Sequence, residues 1–126
     1  MLDKRILVID DASLVRLYYR EALERAGYLV DEALNGVEAL EKLLAWPADI
    51  LLVDINMPKM DGLTFLRTLR RKPLPLGGTP AIVISTEAAA QDAEAARLAG
   101  ANFYLVKPVA QETLTRYVGL CCGTPS

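Results

Sequence analysis

Five short apolar runs recur along the chain, RILVI (5–9), YLVDEA (28–33), ILLVD (50–54), AIVIS (81–85) and NFYLV (102–106), and a helical pattern follows each of them. Val15, Tyr18, Tyr19, Ala22 and Leu23 fall at i, i+3, i+4, i+7 and i+8, one apolar stripe of a first helix that Gly27 stops. Leu40, Leu43 and Leu44 are expected to face inward on a second helix over 37–45, which ends before Pro47. Phe65, Leu66 and Leu69 mark a third over 63–71, an alanine-rich stretch over 88–98 closed by Gly100 marks a fourth, and Leu114, Tyr117, Val118 and Cys121 carry the stripe of a fifth. Strands alternating with helices predict an α/β fold, a doubly wound five-stranded parallel sheet with five helices covering both faces. The third run has no polar residue before its last position, which places it at the centre of the sheet.

At 126 residues and 52% apolar, the chain has the size and core content of one domain, expected over 1–126 without an output domain. KPLPLGGTP (72–80) reads as a connection, since neither side of it could hold a core alone. No apolar run approaches the roughly 20 residues that span a bilayer, so no membrane insertion and a cytoplasmic location are expected. Cys121 and Cys122 are adjacent, where a mutual bridge would be strained, and read as free thiols. A net charge of −2 argues against nucleic acid as a partner. The local cluster Arg67, Arg70, Arg71 and Lys72 reads as the solvated end of the third helix.

Ligands of doubly wound sheets bind beyond the carboxyl ends of the strands. Here those ends carry Asp10 and Asp11, then Asp54, then Ser85 and Thr86, then Lys107. Taken singly, Asp10, Asp11 or Ser13 could be a helix cap, and Lys107 a surface charge. Taken together, three carboxylates at one edge need relief, because like charges about 4 Å apart repel by ~1 kcal/mol in water and ~4 kcal/mol at an effective dielectric near 20. An all-oxygen set suits a hard divalent ion, Mg2+ first, and the absence of histidine argues against zinc. A metal beside a carboxylate, a hydroxyl and an amine suits phosphoryl transfer, with the carboxylate itself able to act as nucleophile. Neither a GxxxxGK[ST] loop nor a GxGxxG fingerprint is present, so the donor is not expected to be a bound nucleotide.

VIDD (8–11), LLVDINMPKMDG (51–62), VIST (83–86) and YLVKP (104–108), in this order and spacing, resemble the receiver domain of bacterial two-component response regulators over essentially the whole chain. The resemblance implies a flavodoxin-like fold with Asp54 as phosphoacceptor. It also implies Mg2+ held by Asp10, Asp11, Asp54 and the main-chain carbonyl of Asn56, Ser85 as the switch hydroxyl, Lys107 as the salt-bridging lysine, Tyr104 as the switch aromatic, and a cis bond before Pro108. Pro58, Asp61 and Gly62 shape the loop after the third strand. Asn56 and Glu87 stand where the family flanks the hydrolytic water, a pairing similar to that of the chemotaxis regulator acting on the flagellar motor. Ser85 replaces the commoner threonine and Thr86 a small alanine. The partners implied are a sensor histidine kinase or histidine phosphotransfer protein and a downstream effector such as the motor switch, the chain being a monomer or a weak phosphorylation-dependent dimer. No enzymatic turnover is expected beyond self-catalysed phosphoryl acceptance and loss. A phosphorelay intermediate or phosphate sink is the alternative role. A magnesium-dependent phosphohydrolase is a further one, against which Asn56 replaces the second aspartate such enzymes usually carry.

Overall fold

A computed structural model of the chain describes residues 3–123. Five strands, β1 (Arg5–Ile9), β2 (Leu29–Ala33), β3 (Ile50–Asp54), β4 (Ala81–Ser85) and β5 (Phe103–Val106), alternate with five helices, α1 (Ser13–Arg25), α2 (Gly36–Ala45), α3 (Gly62–Arg70), α4 (Ala90–Ala99) and α5 (Gln111–Cys122). The strands form one parallel sheet in the order β2-β1-β3-β4-β5, so β3 is central and the winding reverses between β1 and β3. This is the flavodoxin-like doubly wound arrangement.

Successive strand residues point to opposite faces, which separates the core into two layers. Leu7, Ile9, Leu51, Val53 and Val83 pack with α2, α3 and α4. Ile6, Val8, Ile50, Leu52, Ile82 and Ile84 pack with α1 and α5. β3 and β4 are buried at every position because helices cover both faces, whereas β5 lies at the sheet edge and leaves Phe103 and Val106 partly exposed. No described helix is long and apolar enough to cross a membrane.

Several sequence expectations need correction. Leu44 is 75% exposed, because α2 packs through Gly36, Ala39 and Leu43 and the next position lies about 100° further round the helix. Tyr18 stays near the rim of the α1 stripe, half in solvent, with its hydroxyl donating to the Val109 carbonyl at 3.0 Å. Neither Asp11 nor Ser13 caps α1; its N-cap is Ala12, without a side-chain bond. α4 begins two residues later than the alanine pattern suggests, since the chain is still extended at Ala89. Arg70 is not solvated: it is half-buried, and its guanidinium donates to the carbonyls of Gly77 (3.1 Å), Thr79 (2.7 Å) and Gly100 (2.7 and 3.1 Å). It thereby ties the 72–80 connection, which contains a 3-10 turn over Leu76–Gly78, to the turn before β5.

Candidate functional site

Parallel strands aim all their carboxyl ends at one edge of the sheet, and that edge gathers the polar residues. Asp54 closes β3, Ser85 closes β4, Asp10 follows β1 directly and Lys107 follows β5 directly. One carboxylate oxygen from each of Asp10, Asp11 and Asp54 lies within 4.8 Å of the others, so the three acids share a single site. The Lys107 ammonium reaches two of them, Asp10 Oδ2 at 3.2 Å and Asp54 Oδ1 at 3.3 Å. The Lys107–Pro108 peptide is cis.

Asp10 is buried and held from several sides. Its N–H donates to the Ala33 carbonyl at 3.1 Å, its Oδ1 accepts from the Ala12 N–H at 2.9 Å, and its own carbonyl accepts from Arg16 Nη1 at 2.7 Å. Asp11, by contrast, is exposed. Asp54 is only 9% exposed, and burial together with the neighbouring Asp10 charge raises its pKa above the ordinary carboxylate value despite the pull of Lys107. Burial works against the Lys107 ammonium, yet the charges of Asp10 and Asp54 outweigh it and hold its pKa above normal. Tyr19, beneath the same edge, has its phenol pushed well up by burial, with Asp10 and Asp54 adding to the shift.

The second half of the site is a chain of backbone links. Ser85 is buried, and its Oγ accepts from the Glu87 N–H at 3.1 Å while its carbonyl accepts from the Lys107 N–H at 2.7 Å. The Glu87 carbonyl in turn accepts from the half-buried Tyr104 hydroxyl at 2.6 Å. Ser85 and Tyr104 are therefore joined through one residue whose own side chain is in solvent. Asn56, also exposed, lies in the bend after β3.

The loop after β3 explains its acid-glycine pair. The Asp61 carboxylate caps α3 by accepting from the Thr64 N–H at 2.8 Å. Gly62 starts that helix so close to β3 that an added Cβ would sit 2.2 Å from the Asp54 carbonyl oxygen, which no side chain tolerates. Beside the acids, a groove of about 560 Å³ opens between α1 and the segment after β5, lined by Leu14, Val15, Tyr18, Thr86, Lys107 and Val109 among others. Thr86 thus faces this groove. Arg16 and Gly62 do structural work at the site that spacing alone did not assign, although the acid-glycine pair pointed to the second. Arg16 looks like any helix-surface arginine until the fold brings it onto Asp10.

The family model for the response regulator receiver domain matches residues 6–119. The chain is 40% identical, over 133 aligned positions, to a protein-glutamate methylesterase/protein-glutamine glutaminase of Archaeoglobus fulgidus, an alignment taking in 95% of this chain and 36% of that protein. It is 41% identical over 110 residues to the response regulator MprA of Mycobacterium ulcerans, covering 87% of this chain and 46% of that one. The chain therefore spans less than half the length of these curated relatives. Among solved structures it superposes on the chemotaxis protein CheY4 of Vibrio cholerae with a TM-score of 0.88 at 30% identity, covering 95% of this chain and 99% of that one.

Proposed function

Because the chain belongs to the response regulator receiver domain family, we propose that it acts as a phosphorylation switch in two-component signalling, with Asp54 as the phosphoacceptor. A carboxylate oxygen of Asp54 attacks the phosphorus of a phosphohistidine on a sensor kinase or phosphotransfer protein. The P–N bond breaks, the imidazole leaves and takes up a proton, and Asp54 becomes an acyl phosphate. The observation that carries this reading is the Lys107 ammonium set between Asp10 and Asp54, while burial and the Asp10 charge still raise the Asp54 pKa: one cation does not balance three acids.

That imbalance and the all-oxygen donor set of Asp10, Asp11 and Asp54 fit Mg2+, which these acids would hold together with the carbonyl of Asn56. When bound, the ion supplies the positive charge that phosphoryl oxygens need beside carboxylates. Lys107 keeps its proton in this setting and donates to the incoming phosphoryl group. Ser85 leaves the Glu87 N–H and hydrogen-bonds the phosphoryl oxygens instead. The Glu87 backbone, released at one side, no longer holds Tyr104 at the other, and Tyr104 turns inward. The α4-β5-α5 face then presents a second surface to an effector, a shift between two populations of one molecule. Asn56 and Glu87 flank the water that later hydrolyses the acyl phosphate. The similarity to CheY4 supports a chemotaxis role with the flagellar motor switch as effector, and the residues so far described require no other catalytic turnover.

Intact mass after incubation with acetyl phosphate, with and without Mg2+, tests the proposal. Wild type gains one phosphoryl group only with Mg2+ and loses it spontaneously, rapid loss favouring the chemotaxis role over a phosphate sink. Asp54→Ala gains none and keeps its fold; persistent stoichiometric labelling of that variant would overturn the assignment.

A further inference from the structure

Of the three acids at the site, Asp11 alone is placed only by its backbone. Asp10 is anchored through its carboxylate by the Ala12 N–H and Lys107, and Asp54 by its strand and Lys107. Among the described residues, the Asp11 side chain accepts no hydrogen bond, and it is exposed. Its position follows from the plane of the peptide that precedes it, and the carbonyl of that planar unit belongs to Asp10.

One side chain fixes that carbonyl. Arg16, 12% exposed along its side chain, donates from Nη1 to the Asp10 carbonyl at 2.7 Å and from Nε to Glu32 Oε1 at 2.7 Å. Glu32 lies on β2, and its other oxygen accepts from Arg20 Nη1 at 2.6 Å. A rigid guanidinium is thus locked on the neighbouring strand and aimed at the peptide that carries Asp11. Glu32 also offsets the guanidinium charge, which would otherwise oppose any cation at the acids. Burial disfavours the Glu32 carboxylate, but its hydrogen bonds from Arg20 and Arg16 outweigh this and keep it ionised.

We infer that Arg16, braced by Glu32, is a positioning residue for the metal site: it holds the Asp10–Asp11 peptide in the plane that a small octahedral ion requires. The inference rests on the magnesium reading above and adds a residue that touches no ligand oxygen. Mg2+ demands near-ideal octahedral geometry, whereas Ca2+ accepts irregular sets of oxygens. Loosening the peptide should therefore cost Mg2+ more than Ca2+. A simple loss of the Arg16 charge would instead strengthen the binding of both ions alike.

Titration calorimetry of Mg2+ and of Ca2+ into wild type, Arg16→Met, Arg16→Lys and Glu32→Gln, with unfolding followed by Trp46 fluorescence, separates these cases. The expected result for Arg16→Met is a loss of Mg2+ affinity of about tenfold, the lower end of what outer-shell partners contribute, with a clearly smaller loss for Ca2+. Arg16→Lys, which keeps the charge and one donor, recovers part of the Mg2+ affinity. Glu32→Gln frees the guanidinium and lowers the affinity for both ions. Unchanged Mg2+ affinity in Arg16→Met, or equal losses for both ions, would overturn the inference. Should Arg16→Met not fold, the ratio of the two affinities in Arg16→Lys decides the matter, a wild-type ratio counting against it. Wild type that binds neither ion would remove the magnesium reading itself, and the positioning role with it; normal binding in wild type with unaltered variants would remove only the role of Arg16.

Discussion

The two ends of the same five strands are built on opposite electrostatic principles. At the amino ends, Asp49, Arg5 and Arg70 each meet a partner. Asp49 accepts from the Arg5 N–H at 2.7 Å, the Arg5 guanidinium lies 5.3 Å from the centre of the Trp46 ring, and Arg70 closes three loop carbonyls. At the carboxyl ends, three carboxylates face a single ammonium, and burial together with the Asp10 charge pushes Asp54 away from its charged form. The amino ends therefore consolidate the fold, and the carboxyl ends hold a repulsion that a cation would relieve. The same division separates residues whose loss should destabilise from one whose loss should stabilise.

The largest effect is expected where the consolidating end is cut. Arg70→Ala strands three carbonyls and leaves the 72–80 connection untied, and should lower stability by about 3 kcal/mol in urea unfolding. A loss near zero would mean that water replaces the guanidinium and that this end is not the anchor. Gly62→Ala attacks the join between α3 and Asp54. Its methyl would meet a backbone oxygen that cannot swing away, so a cost of about 1–3 kcal/mol is expected, accompanied by slower acetyl phosphate labelling as Asp54 shifts. Loss of stability at an unchanged labelling rate would break the link between this glycine and the site.

Asp54→Asn should act in the opposite direction. The native state holds the Asp54 proton more tightly than the unfolded chain, so ionisation costs stability as pH rises through the interval that starts near the ordinary value of 3.8. The asparagine variant, measured without divalent ions, should be more stable than wild type at pH 7 by on the order of 1 kcal/mol, what remains of the cost of burying the charge and of like-charge repulsion after the attraction of Lys107. The difference should close below that interval. A gain that persists at pH 3 would assign the effect to packing. The smallest effect is expected from Trp46→Leu, which forfeits the contact with Arg5 and should cost about 0.5 kcal/mol by thermal unfolding. A cost several times larger would show that the ring, rather than the cation, anchors this end.

Much of the fold was legible because it is written in local periodicity. An unbroken apolar run ending in Asp54 marks a strand covered on both sides, and it is the central strand. Gly27 and Gly100 stand where helices must stop, and both have positive φ. Those signals also brought the acids, Ser85 and Lys107 to one edge, since a parallel sheet leaves strand ends no other place to go. Leu44, Arg70 and Arg16 were misjudged or missed for a common reason. Each is a helix residue whose environment depends on how the helix packs: Leu44 on the side of α2 turned away from the sheet, Arg70 against the connection before β4, and Arg16 against the end of β1.

The sequence by itself determined which segments are strands, which helices flank them, and which side chains reach the carboxyl edge, because alternation and helical spacing depend on neighbours along the chain. Only the tertiary structure decided that Lys107 sits between Asp10, 97 residues away, and Asp54, 53 residues away. It alone tied Ser85 to Tyr104 through Glu87 and turned Arg16 onto the Asp10 carbonyl. Contacts at that separation are set by how the layers pack against the sheet, a property of the whole molecule that no local pattern carries.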